Sequence, residues 1–235
     1  RRQRQMCIRD SNKGENNMNV NDYKGILVYA EQRDGVLQNV GLELLGKATE
    51  LAYEINKQIA LKDAGDELAD YATKQAAAIK IADGIVATHE EDDEEVKEKV
   101  ANVKATNPDA ARVTALLIGH NVQALAQDLI KAGADKVLVV DKPELEIYDT
   151  EAYTQVLDAA ITAEKPEIVL FGATTLGRDL APRVSSRIAT GLTADCTKLE
   201  LLKDKERQLG MTRPAFGGNL MATIVSPDHL SLIHI

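Results

Sequence analysis

The sequence has 235 residues and a formal net charge of −9, with 44% hydrophobic and 28% charged residues; aromatics are 3% and Trp is absent. That length fits one large domain, or one domain and part of a second, around an aliphatic core. The acidic balance and scarce aromatics argue against nucleic acid as a partner, two cysteines cannot build a disulfide scaffold, and no apolar window is long enough to span a membrane.

The chain opens on RRQRQMCIRDS and closes on LSLIHI. Codons for Met6 to the start of Ser11, reverse-complemented, encode Leu-Ser-Leu-Ile-His and the start of Ile. The two ends therefore resemble one inverted DNA adapter read through in frame, and residues 1–11 and 230–235 are set aside from the fold. The other reading is a basic N-terminal arm and an apolar C-terminal strand. Lys13-Gly14-Glu15 can be coded as a ribosome-binding site ahead of Met18, so residues 1–17 are expected to be adapter and leader, and the natural chain to run on past His229. Residues 1–11 carry a net charge of +3, and without them −9 becomes −12.

Gly25 to Ala30 is an apolar run of strand length, followed by the turn cluster Glu31 to Gly35. Leu42, Leu45, Ala48 and Ala52 recur at helical spacing. The stretch 56–111 breaks this rhythm as an acidic insertion. Its six consecutive acids, Glu90 to Glu95, read as a solvated helix start or loop, and His89 beside them does not make a metal site. Val113 to Ile118 is the next strand. Leu125, Leu129 and Ile130 mark a helix capped by Gly133, Lys136 to Val140 a strand, Tyr153 to Ala163 a helix and Glu167 to Phe171 a fourth strand. Continuous apolar strands alternating with amphipathic helices predict an α/β fold, a parallel sheet with helices on both faces. Ligands in such folds sit at the carboxyl ends of strands, here the loops at Glu31, Gly119 and Gly172.

Gly172 and Gly177 have the spacing of a phosphate-cradling loop, but Arg178 and Asp179 stand where that loop needs Lys and then Ser or Thr. Asp179 is instead expected to cap a helix with Pro182 in its first turn. Val184 and Ile188 would face the sheet, and Arg178, Arg183 and Arg187 would point outward to solvent or to a partner. Arg213 to Val225 reads as a hairpin whose turn is Gly217-Gly218-Asn219. Cys196 reads as a small buried hydrophobe. His120 closes a strand without an evident partner. No catalytic residue, cofactor-binding residue or metal ligand can be assigned.

Three segments, GATTLGRDLAPRVSSRIATGLTADC (172–196), TRPAFGGNLMATIVSPDH (212–229) and DYKGILVYAEQRDGVLQNVGLELLGKATELA (22–52), together resemble the alpha subunit of electron transfer flavoprotein. The resemblance implies a Rossmann-like N-terminal domain of adenine-nucleotide-alpha-hydrolase type over 18–204. It further implies that 205–229 is a hairpin leading toward an FAD domain missing from this chain. The parent would accept electrons from acyl-CoA or other flavin dehydrogenases as a cytoplasmic heterodimer with a beta subunit. FAD would be its cofactor, and this chain alone would bind none. Interface or structural candidates are Arg178, Asp179, Arg183, Arg187, Arg213, Gly217, Gly218 and Asn219. A stand-alone adenine-nucleotide module or sensor, and an adenylate-transferring hydrolase relative, are the other readings.

Overall fold

A computed structural model describes residues 22–63, 94–202, 207–215, 220–225 and 231–235. Strand β1 (Ile26–Ala30) is buried at every position, as a strand covered on both faces must be. The short strands β2 (Gln32–Arg33) and β3 (Val36–Leu37) form a hairpin. Its turn residues Asp34 and Gly35 take φ of 51° and 75°, the twist a two-residue hairpin prefers.

Helix α1 (Asn39–Asp63) buries Leu45, Ala48, Leu51, Ala52 and Ile55, so the helical spacing is met. It also runs on past Asn56, into the stretch expected to break the pattern. Helix α2 (Glu94–Thr106) closes that stretch and buries Val96 and Val100 against Ala60 of α1. Residues 56 and 111, at the two ends of this stretch, are clasped together. The Asn56 side-chain amide donates to Ala111 O at 3.0 Å and its carbonyl accepts Ala111 N–H at 2.7 Å. Glu94 and Glu95 form the exposed first turn of α2, matching the solvated reading; His89 and residues 90–93 lie outside the described residues.

The chain continues through β4 (Val113–Gly119), α3 (Ala126–Lys131), β5 (Lys136–Asp141), α4 (Thr150–Glu164), β6 (Ile168–Phe171), α5 (Thr175–Arg187) and β7 (Leu192–Thr193). Strands β8 (Lys198–Leu201), β9 (Leu209–Pro214), β10 (Met221–Val225) and β11 (Ser231–His234) follow. The main sheet is parallel throughout, in the order β5-β4-β1-β6-β11-β7. Alternate residues face opposite layers. Ile26, Val28, Ala115, Leu117 and Leu170 pack toward α1, while Leu27, Leu116, Val169 and Phe171 pack toward α4 and α5. Helices therefore cover both faces, as the strand pattern predicts. A second, antiparallel sheet, β10-β9-β8, carries the expected hairpin: Met221 pairs with Pro214 and Val225 with Gly210.

Sequence reasoning leaves residues 230–235 outside the fold; the structure differs. Ser231–His234 lies between β6 and β7, with Leu232 opposite both Val169 and Leu192. Leu232 and Ile233 are fully buried, one on each side of the sheet. Short alternating apolar residues are what a two-sided lane between parallel strands requires, so the apolar-strand reading describes this segment's placement.

Candidate functional site

From β5 the chain crosses back over β4 and β1 to reach β6. The strand order therefore reverses beside β1, and the crevice between the carboxyl ends of β1 and β6 is where a ligand of such a sheet would sit. The Glu31 and Gly172 loops meet there, as the strand ends predict. Glu31 follows β1 and is 2% exposed. Its Oε1 accepts from Arg33 Nε at 3.2 Å and Nη2 at 3.1 Å, and its Oε2 accepts from the Thr174 hydroxyl.

Thr174, not Asp179, caps α5. Its extended backbone and its Oγ1, which accepts Gly177 N–H at 3.0 Å, make the N-cap. The helix thus starts one turn earlier than expected, and Pro182 lies in its middle rather than its first turn. A Cβ on Gly177 would come within 1.9 Å of Gly172 O, and one on Gly172 within 2.6 Å of Val40 in α1. The two glycines therefore let the loop fold onto itself and beneath α1; they do not open a cradle.

Asp179 instead accepts from Tyr148 Oη at 2.7 Å and from the Thr150 hydroxyl, which ties α5 to the start of α4. Those hydrogen bonds, Thr150 first, hold its carboxyl below the usual range. Arg183 and Arg187 do point outward, but onto α4. Arg183 Nη2 meets Glu151 at 2.8 Å, while Arg187 meets Glu151 at 2.6 Å and Asp158 at 3.0 Å. Hydrogen bonds from Arg183, Gln155 and Arg187 lower the Glu151 carboxyl to about 2. Arg178 donates to Ala173 O and pairs with Asp195 at 2.8 Å. Val184 is buried and Ile188 packs against the same layer.

Arg213 lies half-buried in β9. Cys196 is buried, and that burial pushes its thiol up to about 11 against the opposing charge of Arg213, which keeps it an unreactive hydrophobe. Gly217, Gly218 and Asn219 lie outside the described residues, although Ala215 N donates to Leu220 O just inside the turn. His120 stands 3.5 Å from Asp141. Asp141 accepts the N–H groups of Asn121 (2.8 Å), Val122 (2.9 Å) and Gln123 (3.3 Å). Desolvation opposes its ionisation, yet these bonds outweigh it and leave the carboxyl below its ordinary value. Glu31 and Asp141, the acids that close the carboxyl edge, carry no local motif; only their positions at strand ends point to them.

Among the described residues no group of three His, Cys, Asp or Glu side chains could hold a metal ion, and no helix is long and apolar enough to cross a membrane. At the carboxyl edge the residues do not fit a flavin or nucleotide phosphate. The α5 N-terminus is already capped, a carboxylate lies beside it, and Val40 fills the approach to Gly172.

Large apolar side chains are exposed at Val36, Ile130 and Ile147, and also at the small sheet. Strand β10 is one edge of the small sheet; Leu220 just before it and Met221 and Ile224 within it are 68%, 57% and 38% exposed.

Sheet order, two-sided helical cover and closed strand ends define a Rossmann-like α/β domain. Residues 93–235 match the electron transfer flavoprotein domain family, and the chain belongs to that family. It is 42% identical over 209 residues to the electron transfer flavoprotein subunit alpha of Thermoanaerobacterium thermosaccharolyticum, covering 89% of this chain and 46% of that protein. Identity to the subunit of the same name in Clostridium acetobutylicum is 39% over 212 residues, covering 90% and 47%. With the acryloyl-CoA reductase electron transfer subunit beta of Anaerotignum propionicum it is 34% over 233 residues, covering 90% and 49%. The chain spans about half the length of these curated relatives.

Proposed function

We propose that this chain is the N-terminal domain of an electron transfer flavoprotein alpha subunit, an electron carrier rather than an enzyme with a substrate of its own. The domain docks a beta subunit, and the parent protein binds FAD in a part these residues do not include. Electrons come from acyl-CoA or other flavin dehydrogenases, in the cytoplasm. The observation that carries this reading is the edge strand β10, where Met221 on one face and Ile224 on the other are exposed, with exposed Leu220 just before the strand. An uncovered apolar edge strand is an aggregation hazard, and proteins that retain one generally cover it with a partner. The hairpin candidates Arg213, Gly217, Gly218 and Asn219 border this edge in sequence. The ion pairs of Arg183 and Arg187 with α4 support a structural role for those two over a partner contact.

The test is co-elution of this chain with an electron transfer flavoprotein beta subunit in size-exclusion chromatography. A shared peak is expected for the wild type, and an affinity at least ~10-fold weaker for Met221→Lys/Ile224→Lys, a loss of about 1.4 kcal/mol. Absence of a complex, or equal binding by the variant, would reject docking through this edge.

A further inference from the structure

Parallel α/β sheets present two kinds of anion position at their carboxyl edge: the N-terminus of a helix that follows a strand, and a loop whose successive N–H groups converge. Among the described residues, α5 offers a position of the first kind and the loop after β4 one of the second; an acid stands beside the cap of the first and fills the second. At α5, Glu31 reaches the cap hydroxyl of Thr174 and is held on its other oxygen by Arg33. At the loop after β4, Asp141 gathers three consecutive backbone N–H groups, with Asn121 in the left-handed region at φ 56°. The first carboxyl is buried, so it is a fixed part of the interior and not a side chain that drifts into place. Val40 over Gly172 closes what remains of the approach.

We propose that Glu31, at the β1/β6 crevice, and Asp141, at the ends of β4 and β5, are built-in anions that close these two separate carboxyl-edge positions to phosphate-bearing ligands. The fold of a nucleotide-binding domain is retained here as a closed scaffold, its electropositive positions neutralised from within. The claim rests on the cleft's geometry alone and is independent of the beta-subunit reading. It implies that the cleft tolerates loss of the Glu31 carboxylate only when another small carboxylate replaces it.

The experiment compares wild type with Glu31→Ala by thermal unfolding in sodium formate, sodium phosphate and sodium chloride at matched ionic strength. Equilibrium dialysis of the wild type against labelled ATP accompanies it. Wild type should show no saturable ATP uptake up to about 1 mM, and its Tm should respond to formate as it does to chloride. Glu31→Ala should melt roughly 5–10 °C lower, and formate, but not chloride, should return part of that loss. Saturable ATP binding by the wild type would overturn the proposal, as would a Glu31→Ala protein whose Tm is unchanged or recovers equally in chloride. Should Glu31→Ala not fold, Glu31→Gln keeps the side chain's shape and removes its charge; a Tm equal to wild type for that variant would also overturn it. For Asp141→Asn, a lower Tm is expected, and an unchanged one would remove Asp141 from the proposal.

Discussion

At the start of α5 one hydroxyl meets two demands: Thr174 Oγ1 accepts from Gly177 N and its hydrogen goes to Glu31. Losing a helix cap costs about 1 kcal/mol, and leaving a buried acceptor short of a donor costs roughly 1–3 kcal/mol more. Thr174→Val, similar in shape but without the hydroxyl, should therefore lose about 2–4 kcal/mol in denaturant unfolding, whereas Thr174→Ser should stay within roughly 1 kcal/mol of wild type. Equal stability for Thr174→Val and wild type would show that Asp179, not Thr174, carries the helix start. Sequence alone favours the wrong residue because Thr174 and Asp179 are both good capping types, five positions apart. What decides between them is the contact of Gly177 with Gly172 O, which turns the chain one step earlier. The Glu31–Thr174 bond joins residues 143 apart in the chain, and no local pattern encodes such a pairing.

Between elements, the α4–α5 contact joins an apolar layer of Leu157, Ile161, Leu180 and Val184 to an exposed row of charges. Ile161 and Val184 of that layer were legible from helical spacing, but Leu157 and Leu180 were not: the spacing points to Val156 and Ala160, which are only partly buried. The pairing of Arg183 and Arg187 with Glu151 was not legible, because it depends on how the two helices lie side by side. The extension of α1 past Asn56 was hidden for a related reason. Lys57, Gln58 and Lys62 look like the end of a helix until α2 packs against Ala60 and Asn56 fastens Ala111. Glu151 gives the pair of helices an acid-sensitive joint. Its carboxyl titrates at about 2 in the folded chain against an ordinary 4.5. The unfolded state therefore binds the proton first as pH falls. The contribution is fully present above about 4.5 and is lost as pH drops toward about 2. Glu151→Gln should flatten the stability profile over that window by lowering stability above about 4.5, and leave the acid end below about 2 unchanged. In wild type, 1 M salt should shrink the slope, since the pairs are exposed and the screening length falls to about 3 Å. A wild-type slope there that survives Glu151→Gln would assign it to other acids.

At the scale of the whole molecule, the sheet is continuous only because β11 lies between β6 and β7. Ser231 N donates to Glu167 O, Ile235 N to Phe171 O and Cys196 N to His234 O, so the strand is bonded on both sides. Leu232 and Ile233 seal opposite faces, and burying a side chain of that size is worth about 1.5–3 kcal/mol. The arrangement carries one uncomfortable group. His234 is 2% exposed, its Nε2 has no partner among the described residues, and burial lowers its pKa below the ordinary value. This lane selects only for extended backbone and two apolar side chains of opposite facing, which Leu232 and Ile233 supply. Deleting residues 231–235 removes both anchors and uncovers the backbone edges of β6 and β7. The truncated chain should lose at least about 3–6 kcal/mol of stability, bind a hydrophobic dye, and self-associate through the exposed strand edges. Replacing Leu232 and Ile233 by Ala should reproduce most of the stability loss while leaving the backbone bonds in place. If truncation leaves the unfolding midpoint and the dye signal as they were, the strand is not part of the folded sheet in solution and β6 and β7 close by other means.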